Sequence, residues 1–95
     1  MKVENDNRFH SVGLLDKLPD SMTRRLSDVA LNHWFRIEKL DGPQEDCNRL
    51  MDLGFTPGEE VIVTHRAPLG DPLVVRVRGA LLALRKREAA WIRVE

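Results

Sequence analysis

Residues 41–58, DGPQEDCNRLMDLGFTPG, decide how the rest of the chain is read. Pro43 suits the first position of a helix, where a backbone N–H would lack a partner anyway, and Asp41 or Gly42 ahead of it suits the N-cap. Gln44, Glu45 and Asp46 then place acidic and polar groups in the first turn, which complements the helix dipole. Cys47, Leu50, Met51 and Gly54 follow at i, i+3, i+4 and i+7 and mark the buried stripe of a helix over about residues 43–53. Gly54 fits the left-handed position past the helix end, with Phe55 folding back towards Leu50. Thr56, Pro57, Gly58 and Glu59 have the residue choice of a type II turn, with proline second and glycine third.

Outward from this helix the pattern is β. Residues 32–40 (NHWFRIEKL) predict a strand with Phe35 and Ile37 on one face and Trp34, Arg36 and Glu38 on the other. Leu26 and Val29 just before it are expected to pack beneath the sheet. Residues 60–67 predict a second strand, Val61 and Val63 inward and Ile62, Thr64 and Arg66 outward. Residues 73–78 predict a third, with Leu73, Val75 and Val77 inward and Val74, Arg76 and Arg78 outward. Gly79 interrupts as a bulge or tight connection. Residues 80–85 predict a fourth strand, residues 87–90 a single helical turn, and residues 91–94 a closing fifth strand with Ile92 and Val94 inward. The expectation is a mostly β domain over residues 26–95: a small barrel of about five strands with one helix, closed or partly open. Residues 1–25 are expected to form an extension, largely disordered or holding a short helical turn at Leu14, Leu15 and Leu18.

Composition narrows the function classes. Ninety-five residues suffice for one domain, and apolar residues make up 42%. Fifteen basic residues balance fifteen acidic ones, so no global field draws the chain to nucleic acid or an anionic membrane. One cysteine excludes an internal disulfide and a cysteine-rich zinc site. No apolar run approaches the roughly 20 residues that cross a bilayer, and no signal-peptide pattern opens the chain. A cytoplasmic location is the expectation.

The ordered series Arg49-Leu50-Met51-Asp52-Leu53-Gly54-Phe55-Thr56-Pro57-Gly58 resembles the centre of the FeoA (ferrous iron transport protein A) family. The resemblance continues through Val61, Val63, residues 66–72, residues 75–79, residues 83–85, Glu88-Ala89, Ile92 and Val94. It implies an SH3-like barrel acting as an accessory factor for ferrous iron uptake, beside the cytosolic part of a FeoB-type membrane transporter, with no catalytic role of its own. The same barrel resembles the C-terminal domain of DtxR-type metal-dependent repressors. The alternative it leaves is a regulatory module that binds a divalent transition metal directly.

The candidate sites follow from this. Cys47 lies on the buried stripe and lacks the base a thiol nucleophile needs, so no catalytic residue is expected. His10, His33 and His65 show no metal-ligand spacing, so no metal site or cofactor is assigned beyond weak binding of Fe²⁺ or Zn²⁺. The loop of residues 67–72 is the expected partner contact. Pro68 and Pro72 stiffen it, Gly70 turns it, and Leu69 and Asp71 sit near its tip. Arg66 leads into that loop, and Arg76 and Arg78 belong to a basic run that suits an acidic protein surface. Weak self-association through Trp34, Trp91 or the loop tip is left open.

Overall fold

The computed structural model describes residues 24–95. The expectations for residues 1–23 lie outside the described residues. The element order is β1 (Arg24–Arg25), a 3-10 turn (Leu26–Asp28), β2 (Trp34–Leu40), α1 (Gln44–Asp52), β3 (Glu60–Arg66), β4 (Leu73–Val77), β5 (Ala80–Leu84), α2 (Lys86–Ala89) and β6 (Ile92–Val94). The expected mostly β, SH3-like architecture is present, with six strands among the described residues in place of about five, the added one being β1; their order is β1-β6-β2-β3-β4-β5, every pairing antiparallel.

The helix α1 ends as its sequence dictates. Gly54 takes a φ of 115°, its N–H donates to the Met51 carbonyl at 3.0 Å, and the Phe55 N–H donates to the Leu50 carbonyl at 3.0 Å. These two bonds form a Schellman motif, and Leu50 and Phe55 are both fully buried where it closes. The following turn is also as expected: Gly58 has φ 95°, and the Glu59 N–H donates to the Thr56 carbonyl at 3.0 Å.

The other end of α1 departs from expectation. Pro43 is itself the N-cap and not the first helical residue, so the helix begins at Gln44, and no side chain caps it. Asp41 has a different task. Its Oδ1 lies 3.1 Å from Arg25 Nη1 and its Oδ2 3.0 Å from Arg93 Nε. Arg25 and Arg93 face each other directly across β1 and β6, an arrangement of like charge that needs a counterion between them. Arg25 also donates to the Ala90 carbonyl at 2.7 Å.

Strand β2 is shared by two halves of the sheet. Its first residues, Trp34 to Arg36, pair with β3, and Ile37 onward pair with β6 across an irregularity at Glu38. The core gathers Leu26, Ile37, Leu50, Phe55, Val61, Val63, Leu73, Val75, Val77, Leu84, Ile92 and Val94 on one side of the sheet. A second irregularity, at Thr64, corrects the expected face of Arg66. Val63 pairs with Val75, but His65 pairs with Val74 and Arg66 with Leu73. The extra residue moves Arg66 onto the core-facing side, because directly opposed residues share a face. There its guanidinium donates to the carbonyls of Ser27, at 3.0 Å, and Val29.

Arg78 is corrected as well. It is not the last residue of a strand. Arg78 (φ 52°) and Gly79 (φ 81°) form the two-residue connection between paired Val77 and Ala80, the geometry of a type I′ hairpin.

Candidate functional site

The eight residues expected to meet a partner occupy opposite ends of β4. Five residues of strand span about 16 Å, so the loop before β4 and the hairpin turn after it are separate places. At the loop, the Ala67 N–H donates to the Pro72 carbonyl at 3.1 Å and the Gly70 N–H to the Ala67 carbonyl at 2.7 Å. The first bond closes the loop of residues 67–72, and the second makes residues 67–70 a β-turn with Pro68 second, the position its fixed φ suits. The Leu69 side chain projects from the tip and is 95% exposed. Asp71 looks the other way: its Oδ1 accepts the Lys86 N–H at 2.9 Å, at the start of α2. Pro72 and Asp71, with Ala83 and Arg85, line an open depression of about 380 Å³. Arg66 is engaged beneath the 3-10 turn, Arg76 is exposed on the outer face, and Arg78 is exposed in the hairpin turn.

Register assembles a feature that inspection of single strands did not. Trp34 pairs with Ile62, Ile62 with Arg76, and Arg76 with Leu81. Their neighbours Val61, Val77 and Val75 face the core, so this row of four lies on the outer face. Trp34 is 56% exposed and Leu81 55%. Alternation alone places Trp34 and Ile62 outward. What alternation lacks is the order of the strands.

One buried carboxylate ties the two helices together. Glu88 of α2 accepts from Arg49 of α1 through Oε2 and from the Arg85 N–H through Oε1 at 3.1 Å. Asp46 sits 3.5 Å from the same guanidinium. Burial pushes the Glu88 carboxyl up, but the hydrogen bonds from Arg49 and Arg85 and the charges of Arg49 and Arg87 outweigh it. The net direction is below the ordinary glutamate value of about 4.3. A carboxylate whose folded pKa is lowered contributes stability that is fully present above the unfolded pKa and lost as pH falls through the folded one. Urea midpoints of the native chain are therefore expected to fall on acidification below about pH 4.3. Glu88→Gln is expected to lower the neutral-pH midpoint and flatten that acid limb. An acid limb equally steep in Glu88→Gln would show that other carboxylates carry it.

Among the described residues, no three His, Cys, Asp or Glu side chains come together in a group that could hold a metal ion. Cys47 is buried, and His65 Nδ1 lies 2.9 Å from Thr64 Oγ1. The donors among these described residues are too scattered to make a metal centre on their own. Nor is any helix of the described residues long and apolar enough to cross a membrane.

Residues 24–95 match the family model described as the FeoA domain. A fusion of Fe(2+) transport protein A and the Fe(2+) transporter FeoB from Porphyromonas gingivalis is 32% identical over 71 residues. That match spans 75% of this chain and 8% of the fusion protein. The solution structure of a FeoA-like protein from Clostridium acetobutylicum superposes with a TM-score of 0.71 at 33% identity, covering 77% of this chain and 85% of that one. The zinc complex of Stenotrophomonas maltophilia FeoA, described as a prokaryotic SH3 domain protein, superposes with a TM-score of 0.66 at 35% identity. It covers 78% of this chain and 89% of that one. The model match takes in the helix stop, the Pro-Gly turn and every strand of the sheet, and the chain belongs to the FeoA domain family.

Proposed function

We propose that this chain is a non-catalytic, cytosolic accessory protein of ferrous iron uptake that docks on the cytosolic part of a FeoB-type Fe²⁺ transporter. The observation that carries this reading is the Porphyromonas gingivalis fusion, in which a homologous FeoA segment and a FeoB transporter share one polypeptide. Covalent linkage holds two modules at high effective concentration, which is useful when the modules work in contact. The exposed features of this domain suit contact: a stiff loop with an apolar tip and an outer face bearing Trp34, Arg76 and Leu81.

The test is a pull-down of the purified cytosolic region of the cognate transporter by the full chain, alongside Fe²⁺ uptake in a deletion strain. Retention together with impaired uptake is expected. No contact and unchanged uptake would remove the reading. Leu69→Ala resolves the surface: its exposed side chain leaves stability within about 0.5 kcal/mol, so lost retention would locate contact at the loop.

The zinc complex of the Stenotrophomonas maltophilia relative favours a second reading, in which the chain itself binds a divalent metal and acts on another protein. The scattered donors described above argue for weak binding in that case. Anaerobic calorimetry with Fe²⁺ and with Zn²⁺ separates the two readings. A flat titration at protein-scale concentrations removes the second.

A further inference from the structure

Strand β5 ends the sheet, with β4 as its one ladder partner among the described residues. The two-residue hairpin fixes which of its backbone groups are used. Ala80 opposes Val77 across the turn as a hydrogen-bonded pair, and the pairs alternate from there. Ala80, Leu82 and Leu84 therefore bond to β4, while the N–H and C=O groups of Leu81 and Ala83 point away from it. Soluble proteins blunt such edges with charges, prolines or bulges inside the strand. β5 reads ALLAL and has none of these, and Leu81 and Ala83 are exposed.

The charge lies at the ends of the strand. Arg78 precedes it and Arg85, Lys86 and Arg87 follow it, all exposed, with Arg76 beside Leu81 on the outer face. The nearby carboxylates are occupied, Asp71 by the Lys86 N–H and Glu88 by Arg49 and Arg85. A second copy pairing along β5 would bring cationic ends against cationic ends in either orientation, which disfavours self-pairing. A strand with apolar residues at its centre and acids at its ends is complementary. The depression beside Ala83, bounded by Asp71, Pro72 and Arg85, leaves room for one of its side chains.

We propose that the open edge of β5 receives an extended, acid-flanked apolar segment of a partner protein as an added strand. The proposal rests on the reading of this domain as a module that docks on the transporter, whose cytosolic region would supply the segment. Backbone bonds to Leu81 and Ala83 supply the register, and Arg78 and residues 85–87 select the acidic ends.

The probe is a short peptide of alternating valine and threonine with paired glutamates at both ends, titrated into the isotope-labelled full chain and followed by amide shifts. The largest shifts are expected at Leu81 and Ala83, and affinity is expected to fall roughly fivefold between low salt and about 0.5 M. The same peptide with lysine for each glutamate is expected not to bind. Ala83→Pro removes an outward N–H without breaking a β4 bond and is expected to abolish binding. Leu81→Glu, a surface change, is expected to do the same by repulsion. No binding of the acidic peptide, equal binding of both peptides, or shifts centred on residues 67–72 would each overturn the proposal. Concentration-dependent pairing of the chain with itself through β5 would also overturn it. In the transporter pull-down, retention unaffected by both substitutions overturns the edge and leaves the docking reading standing.

Discussion

Phe55→Ala is expected to lower the free energy of unfolding by about 4 kcal/mol, measured by urea denaturation through Trp34 and Trp91 fluorescence. Phe55 is fully buried, and truncating it removes apolar area and leaves a cavity that its neighbours fill only in part. It is also the residue whose contact with Leu50 completes the Schellman motif at the end of α1. A domain of this size has a stability of roughly 5–15 kcal/mol, so the variant sits near the limit of folding. Each kcal/mol moves the melting temperature of a domain this small by about 4–8 °C. Leu53→Ala, two residues away and 45% exposed, is expected to cost under about 1 kcal/mol. Equal losses at the two positions would show that Phe55 does not anchor the core.

The parts of the fold that were legible in the sequence depend on a few adjacent residues. Gly54 and Phe55 state a helix end, and Pro57-Gly58 states a turn, because each is a backbone conformation that only certain residues adopt cheaply. The strands were legible wherever alternation holds. It fails at Thr64, where one extra residue reverses the face of Arg66, and no local signal marks that residue. Asp41 has the chemistry of a helix cap, yet it is drawn away by Arg25 and Arg93, partners that long-range pairing brings to it. β1 is only Arg24–Arg25, a dipeptide with no strand propensity of its own. The candidate site was legible in the same way. The loop of residues 67–72 announces itself by its prolines and glycine. The row from Trp34 to Leu81 exists only once four strands are placed in order and register. The edge character of β5 likewise belongs to topology and not to the string ALLAL.

Gly42→Val is expected to cost about 2–3 kcal/mol, and its cause is steric. The backbone at Gly42 is not in the left-handed region, so conformational freedom is not what the position needs. A Cβ there would stand 2.5 Å from Cγ and Cδ2 of the Trp91 indole, nearer than packed carbon atoms approach. The ring cannot retreat freely, since Trp91 packs against the core and its carbonyl accepts the Asp41 N–H at 3.0 Å. Displacing it also disturbs the Asp41 carboxylate that separates Arg25 from Arg93. Trp91→Leu should therefore be less costly in the Gly42→Val background than alone, with a coupling of about 1 kcal/mol or more in a double-mutant cycle. Strictly additive losses would mean that the ring and the glycine are not in contact. This substitution has a second use. Gly42 and Trp91 lie by β6, in the half of the sheet away from β5. At temperatures where Gly42→Val remains folded, it should bind the acid-flanked peptide as the native chain does. Ala83→Pro, with a smaller effect on stability, should not. That pair of results would separate loss of binding from loss of fold.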